Sequence, residues 1–512
     1  MPAPPAGARK EAGMRVAVIG CGVCGIAAAK TLKRLGHEVT IYERASAPGG
    51  VWARAYAGVQ LQNHRELYAF SDFPWPFDPG PFPSAADIRR YVEAAIAHYA
   101  LDVRYGHEVT DLAPIPPGWR LGLNTPGSPI THDADAVVVA AGHYTHEKAE
   151  IALEGRERFT GQVLTEHEVT GPDMLDGQRV AIIGLGKSAV DMASFAVGHA
   201  PQIHHIFREA RWMIPRKMLG QYTSRLATER LSSFFSRSWV YPHRLQQLTQ
   251  RYNPRSADIN AGITDSMVRR ALGLRGGRHD AAARARLALL DPSYPMHRQL
   301  RGTLAPDGYV PAVIRGEIEP HRSALTGLTE TGVILADGMQ IEVDTVILAI
   351  GYKRPALPFL PEPARSEFES NSDGVQLYRH IVHPALPHLM FAGFNHNPLH
   401  ITSSEIAALW FDAVERGDLA LPSPDEQEAS RLRVRDWKRA NTLVEPTRAY
   451  WVSAHMHNYL DVLLLELGLP HKRKSNPFSE WLSHYTAADF TTLADEYARK
   501  RGSKRTALPL DN

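Results

Sequence analysis

The chain has 512 residues, a net charge of +2 and 44% apolar residues. That length exceeds one compact core and predicts two or three domains. The evenly mixed charge excludes the basic footprint of a nucleic-acid binder. No apolar run reaches the about 18 residues of a membrane span, and two cysteines exclude a disulfide framework and fit a cytoplasmic protein.

Residues 1–13 carry no apolar h-region and read as a disordered leader rather than a signal peptide. Arg15–Ile19 reads as a buried strand entering the turn Gly20-Cys21-Gly22-Val23-Cys24-Gly25. A helix, Ile26–Leu35, and a second strand, His37–Tyr42, follow and end at Glu43. A G-x-G-x-x-G turn between strand and helix bares backbone N–H groups to a pyrophosphate. An acid about 20 positions on holds a ribose diol. Gly20, Gly22, Gly25 and Glu43 are therefore candidate dinucleotide ligands. Cys21 and Cys24 spell C-x-x-C, but they occupy small-residue slots of the loop, where a bound pyrophosphate leaves no room for thiol exchange.

The logic repeats. Val180–Ile183 enters Gly184-Leu185-Gly186-Lys187-Ser188-Ala189, and the strand Ile203–Phe207 ends at Arg208. An arginine here, where an acid would select NADH, suits a 2′-phosphate because guanidinium binds phosphate through two parallel hydrogen bonds. Arg211 is a second candidate. Two such sites in one chain predict two dinucleotides facing each other, as in hydride transfer from a nicotinamide to a flavin. Ala136–Gly142 and Thr345–Gly351 read as two further buried strands, each ending at a glycine.

Several stretches together resemble the class B flavin-containing monooxygenases and their Baeyer–Villiger relatives. They are Glu43-Arg44 followed by Gly49-Gly50-Val51-Trp52, the G-x-G-x-S-A form of the second loop, the run Arg208-x3-Trp212-x3-Arg216, and Ser71-Asp72-Phe73-Pro74. Gly142 and Gly351-Tyr352 resemble the family's crossovers between domains. The resemblance implies FAD at Gly20, Gly22, Gly25, Glu43, Arg44, Gly50, Val51 and Trp52. It implies NADPH at Gly184, Gly186, Lys187, Ser188, Ala189, Arg208 and Arg211, with Gly351 and Tyr352 also at the cofactors. It further implies an α/β fold of two Rossmann-like domains, the NADPH domain inserted in the FAD domain. The expected spans are 14–165 and 346–440 for FAD and 166–345 for NADPH, with a helical insertion over 217–300 and a helical region over 441–512.

The implied activity is NADPH- and O2-dependent oxygenation of a small molecule through a C4a-(hydro)peroxyflavin, at an amine nitrogen or a sulfide sulfur. Gln62 stands where N- and S-oxygenating members carry an asparagine beside the flavin, and Asn63 is one position off; both are catalytic candidates. The family signature Phe-x-Gly-x3-His is broken: Thr165 holds the histidine position, Val169 the following aromatic one, and His167 comes two residues late. Baeyer–Villiger oxygenation of a ketone and an uncoupled NADPH oxidase that makes hydrogen peroxide are the alternatives. Arg301 lies near a catalytic arginine of the Baeyer–Villiger enzymes, one residue out of register. The insertion, with its aromatic stretch Leu231–Tyr241, reads as a lid or a subunit interface and leaves a homodimer open. His455-x-His457 has no carboxylate or cysteine cluster beside it, so no metal is expected.

Overall fold

Two five-stranded parallel sheets, each feeding one glycine turn, organise the chain. The computed structural model describes residues 13–143, 147–300, 302–443, 445 and 447–508; Arg301 lies outside the described residues, as does the expected leader except Gly13. The first sheet contains β1 (Arg15–Ile19), β2 (Glu38–Glu43), β3 (Asp102–Tyr105), β4 (Ala136–Val139) and, late in the chain, β10 (Leu389–Phe391). Its order is β10-β4-β1-β2-β3. The second sheet contains β5 (Gln162–Thr165), β6 (Arg179–Ile183), β7 (Gln202–Ile206), β8 (Glu319–His321) and β9 (Thr345–Leu348). Its order is β8-β7-β6-β9-β5. Every pairing in both is parallel. β1, β4 and β6 are nearly all Val, Ile and Ala, the composition of strands buried on both faces.

The halves repeat one plan. β1 leads through a glycine turn into helix α1 (Val23–Arg34), and β6 does so into α2 (Lys187–Ala196). In each half a three-stranded antiparallel meander, Glu108–Ala134 or Leu325–Glu342, makes the crossover to the next strand of the sheet. The two connections between the halves run side by side, with Lys148 and Tyr352 bridged as antiparallel neighbours. β5 lies on β9 in the second sheet. Domain borders at 165 and 345 therefore each leave a strand on the wrong side. β5 has only four residues, none fully buried, and carries no periodic signal.

α1 packs between the first sheet and helix α3 (His400–Glu415), whose residues Ile401–Ala413 are all buried. Buried Lys30 sits between Asp72 at 2.7 Å and Glu405 at 2.8 Å. Asp72 also accepts from Tyr99 Oη at 2.6 Å and Arg34 at 2.9 Å. The acid of the Ser-Asp-Phe-Pro stretch thus anchors α1. The insertion holds a short hairpin, Lys217–Tyr222, before five α-helices, the longest Arg255–Ala271, and a 3-10 turn, Met296–Arg298. The C-terminal region is helical through Met456–Glu466, Pro477–Leu482 and Leu493–Ala498, and closes with Arg505–Thr506 pairing Leu419–Ala420. No helix among the described residues is long and apolar enough to cross a membrane.

Candidate functional site

Both glycine turns open onto one cleft of about 2200 Å³. Gly20 has φ +104°, and a Cβ there would lie 2.6 Å from the Ala140 carbonyl oxygen. Gly184 has φ +119°, and a Cβ would lie 2.4 Å from that of Ala349. Only glycine fits either place. Gly22 and Gly186 are the N-caps of α1 and α2, and nothing lies within 4 Å of a Cβ built on either. No side chain caps either helix and neither first turn holds an acid. The first-turn N–H groups and positive helix ends are thus left for an anion from the cleft. The open space at Gly22 and Gly186 leaves room for a group of pyrophosphate size to reach these N–H groups.

Gly25 and Ala189 do not reach the cleft. A Cβ at Gly25 would lie 2.1 Å from the Gly20 carbonyl oxygen, and Ala189 is fully buried. The third slot of each loop packs helix against strand rather than touching a ligand.

Glu43 ends β2 buried beside the first turn. Its carboxylate accepts from Cys21 N–H at 2.7 Å and Ala45 N–H at 2.8 Å. Gly49 and Gly50 have φ +113° and +58°. Gly49 N–H donates to the Cys21 carbonyl at 2.9 Å, and Gly50 leans on Gly22. Val51 and Trp52 follow into the cleft, and Trp52 Nε1 donates to Tyr68 Oη at 2.7 Å. Arg44 reaches the cleft from an exposed position, 4.0 Å from Glu108. Burial pushes the Cys24 thiol up to about 12 and raises that of Cys21. Cys24 Sγ lies 2.9 Å from His400 Nε2 at the start of α3. Neither cysteine supplies a thiolate, so thiol exchange has no nucleophile.

The run Arg208-x3-Trp212-x3-Arg216 is split among three environments. Arg208 is exposed at the cleft edge and has no ion-pair partner among the described residues. Trp212 is core, its indole N–H on the Tyr294 carbonyl at 2.7 Å. Arg216 donates to Gln60 Oε1 at 2.8 Å. Arg211 lines the cleft but faces buried Glu445 at 3.4 Å. Lys187 is paired with Asp191 one turn along α2, and Ser188 lines the cleft beside it.

A seam runs along residues 56–66, where every second residue faces the other half. Tyr56 Oη donates to Asp191 at 2.8 Å, Gly58 leaves room for Phe195, and Gln60 takes Arg216. Gln62 Oε1 accepts from Leu304 N–H at 2.9 Å, His64 N–H donates to Ser224 Oγ at 3.1 Å, and Glu66 takes Arg225 at 2.7 Å. Asn63 turns the opposite way and donates to the Pro398 carbonyl at 3.4 Å, just before α3. Gln62 and Asn63 both line the cleft.

Thr165 is spent locally: its N–H and Oγ1 both donate to Glu168, at 2.7 and 2.8 Å, and Val169 is core. His167 reaches the seam instead. Its Nε2 is hydrogen-bonded to Tyr352 Oη at 2.9 Å and its ring stands edge-on to Tyr56, 6.0 Å between centroids. Burial and the Lys148 ammonium lower the pKa of His167, so the ring is neutral near pH 7. Lys148 lies over the Tyr352 ring at 3.8 Å and is ion-paired with fully buried Glu166. Gly351, with φ +93°, accepts from Ala149 N–H at 3.0 Å and lines the cleft with Tyr352. No spacing rule marks Tyr56, Lys148, Glu166 or Asp191 as part of this junction; in the sequence only the late position of His167 points to it.

The comparisons agree with this architecture. A probable flavin-containing monooxygenase 1 of Arabidopsis thaliana is 27% identical, covering 94% of this chain and 97% of its own. Dimethylaniline monooxygenase 2 (N-oxide-forming) of Cavia porcellus is 25% identical over 89% of this chain and 82% of its own. An open crystal structure of cyclohexanone monooxygenase shares the fold at a TM-score of 0.64 and 17% identity, covering 89% of this chain and 97% of that one. The family description "flavin-binding monooxygenase-like" matches residues 13–262 and 294–470. With two dinucleotide turns on one cleft, the chain belongs to the flavin-binding monooxygenase-like family and is an FAD- and NADPH-dependent monooxygenase.

Proposed function

We propose that this enzyme oxygenates a small molecule at an amine nitrogen or a sulfide sulfur. The observation that carries the reading is the pair of amides, Gln62 and Asn63, on the cleft that both glycine turns line. The N-oxide-forming relative supports the amine branch. Thr165, whose side chain is engaged by Glu168, weighs against the ketone branch, which the family signature pairs with a histidine there.

The first-turn N–H groups of α1 hold the FAD pyrophosphate and Glu43 takes the ribose hydroxyls on its remaining lone pairs. Gly50, Val51 and Trp52 form the wall beside Gly22. The first turn of α2, with Lys187 and Ser188, holds the NADPH pyrophosphate, and Arg208 takes the 2′-phosphate. Bound FAD and NADPH would supply the redox and oxygen-activating chemistry. Gln62 and Asn63, on the cleft wall, would present their amides to bound flavin and help exclude water there. Gln62 does so on an arm fixed at its carbonyl end by Leu304.

The test is a balance sheet of NADPH consumed, product formed and hydrogen peroxide released for a panel of tertiary amines, sulfides and ketones. N-oxide or S-oxide in a 1:1 ratio to NADPH is the expected result. Ester or lactone from ketones alone, or peroxide matching NADPH with every compound, overturns it.

A further inference from the structure

Lys187 opens α2 directly after Gly186 and lines the cleft. Its ammonium is held by both carboxylate oxygens of Asp191, with only 14% and 11% of the two side chains exposed. An exposed pair at this spacing stabilises a helix only slightly, and a desolvated one is close to neutral or costly. The pair is therefore a poor stability device. It is well suited to presetting a cation at the phosphate end of the second glycine turn.

Among the described residues Asp191 has one further hydrogen-bond partner. Tyr56 Oη donates to its Oδ2 at 2.8 Å. Tyr56 comes from the other half of the molecule, six residues past Gly50, and is itself buried. Burial, reinforced by the Asp191 charge, holds the phenol pKa well above its usual value, so the phenol is a permanent donor to Asp191. The other titratable and charged groups that act on this group are Glu166 and Tyr352 beside Tyr56, His167, edge-on to the Tyr56 ring, and Arg216, whose charge acts on Lys187. Arg216 is in turn tied to Gln60 on the Tyr56 side of the seam.

We propose that Tyr56 is a positioning residue for NADPH: through Asp191 it fixes the Lys187 ammonium at the second glycine turn. The FAD-side seam thereby sets the readiness of the NADPH site. The inference rests on the assignment of the second turn to NADPH.

The test is calorimetric titration of NADP+ into the FAD-loaded full-length enzyme. It compares Tyr56→Phe, Lys187→Met and the double variant, with flavin absorbance and melting temperature recorded for each. Tyr56→Phe keeps the ring and removes one hydrogen bond, so NADP+ affinity falls roughly 3- to 10-fold. Lys187→Met lowers affinity as much or more. In the Lys187→Met background, Tyr56→Phe then adds nothing, because its effect travels through the ammonium. In turnover, Tyr56→Phe raises KM for NADPH and leaves kcat at saturation unchanged. Independent, multiplying effects in the double variant overturn the proposal, as does unchanged affinity in either single variant. Should Tyr56→Phe fail to fold, Asp191→Asn replaces it in the same cycle with the same expectations. Absence of NADP+ binding to the unmodified enzyme would instead overturn the assignment of the second turn.

Discussion

Gly20 and Gly184 hold the same station in the two halves of the molecule. Each donates its N–H to a carbonyl near the end of the neighbouring strand, Tyr42 at 2.8 Å and Ile206 at 2.9 Å. A Cβ on either would meet the carbonyl oxygen just past the strand on its other side, Ala140 or Ala349. The two turns are one solution used twice, and the residues two positions on, Gly22 and Gly186, are left facing a shared cleft.

Gly22→Val tests the first turn. Nothing in the protein lies within 4 Å of the new Cβ, so the fold tolerates it. The side chain fills the pyrophosphate cradle, and the purified variant is expected to be colourless with a near-normal circular dichroism spectrum. A yellow variant with full flavin content refutes the assignment.

Arg208→Ala tests the cofactor preference. A guanidinium–phosphate contact contributes about 1.5–3 kcal/mol, or roughly 10- to 100-fold in affinity. KM for NADPH should rise by about that factor while KM for NADH changes little. Equal changes with both nucleotides would remove Arg208 from the 2′-phosphate.

Lys30→Met tests the anchor of α1. The substitution preserves bulk but leaves Glu405, whose side chain is 3% exposed, without its cation. Breaking a buried pair from one side costs about 3–5 kcal/mol. A urea titration should show a loss of that order. A variant as stable as the parent would mean that Glu405 is protonated or solvated.

Glu367 provides a pH test. Burial opposes its ionisation, but hydrogen bonds from His383 and Arg431 and the charge of Arg431 prevail and lower its pKa to about 2 from an ordinary 4.5. The stabilisation is therefore complete above pH 4.5 and is lost as pH falls from there towards 2. Glu367→Gln should lower the melting temperature at pH 7, and the gap to the parent should narrow steadily below pH 4.5. A gap independent of pH across that range would show that the carboxylate charge plays no part.

The strand–turn–helix units around Gly20 and Gly184, Glu43 at the end of β2 and Arg208 after β7 were legible in the chain. Each is specified by local rules: a buried apolar run, a turn that admits only glycine, and a fixed distance to the next strand end. Pairing across the seam is not local. Glu66 and Arg225 are 159 residues apart and Tyr56 and Asp191 are 135 apart, so no spacing rule connects them. β5 shows the same limit, since a four-residue strand is placed by its neighbour β9 rather than by its own pattern. The glycine chemistry of both turns is thus written in the sequence. Which polar side chains join the halves, with His167 rather than Thr165 reaching Tyr352, is settled by packing between segments far apart in the chain, because a hydrogen bond buried at an interface depends on both surfaces at once.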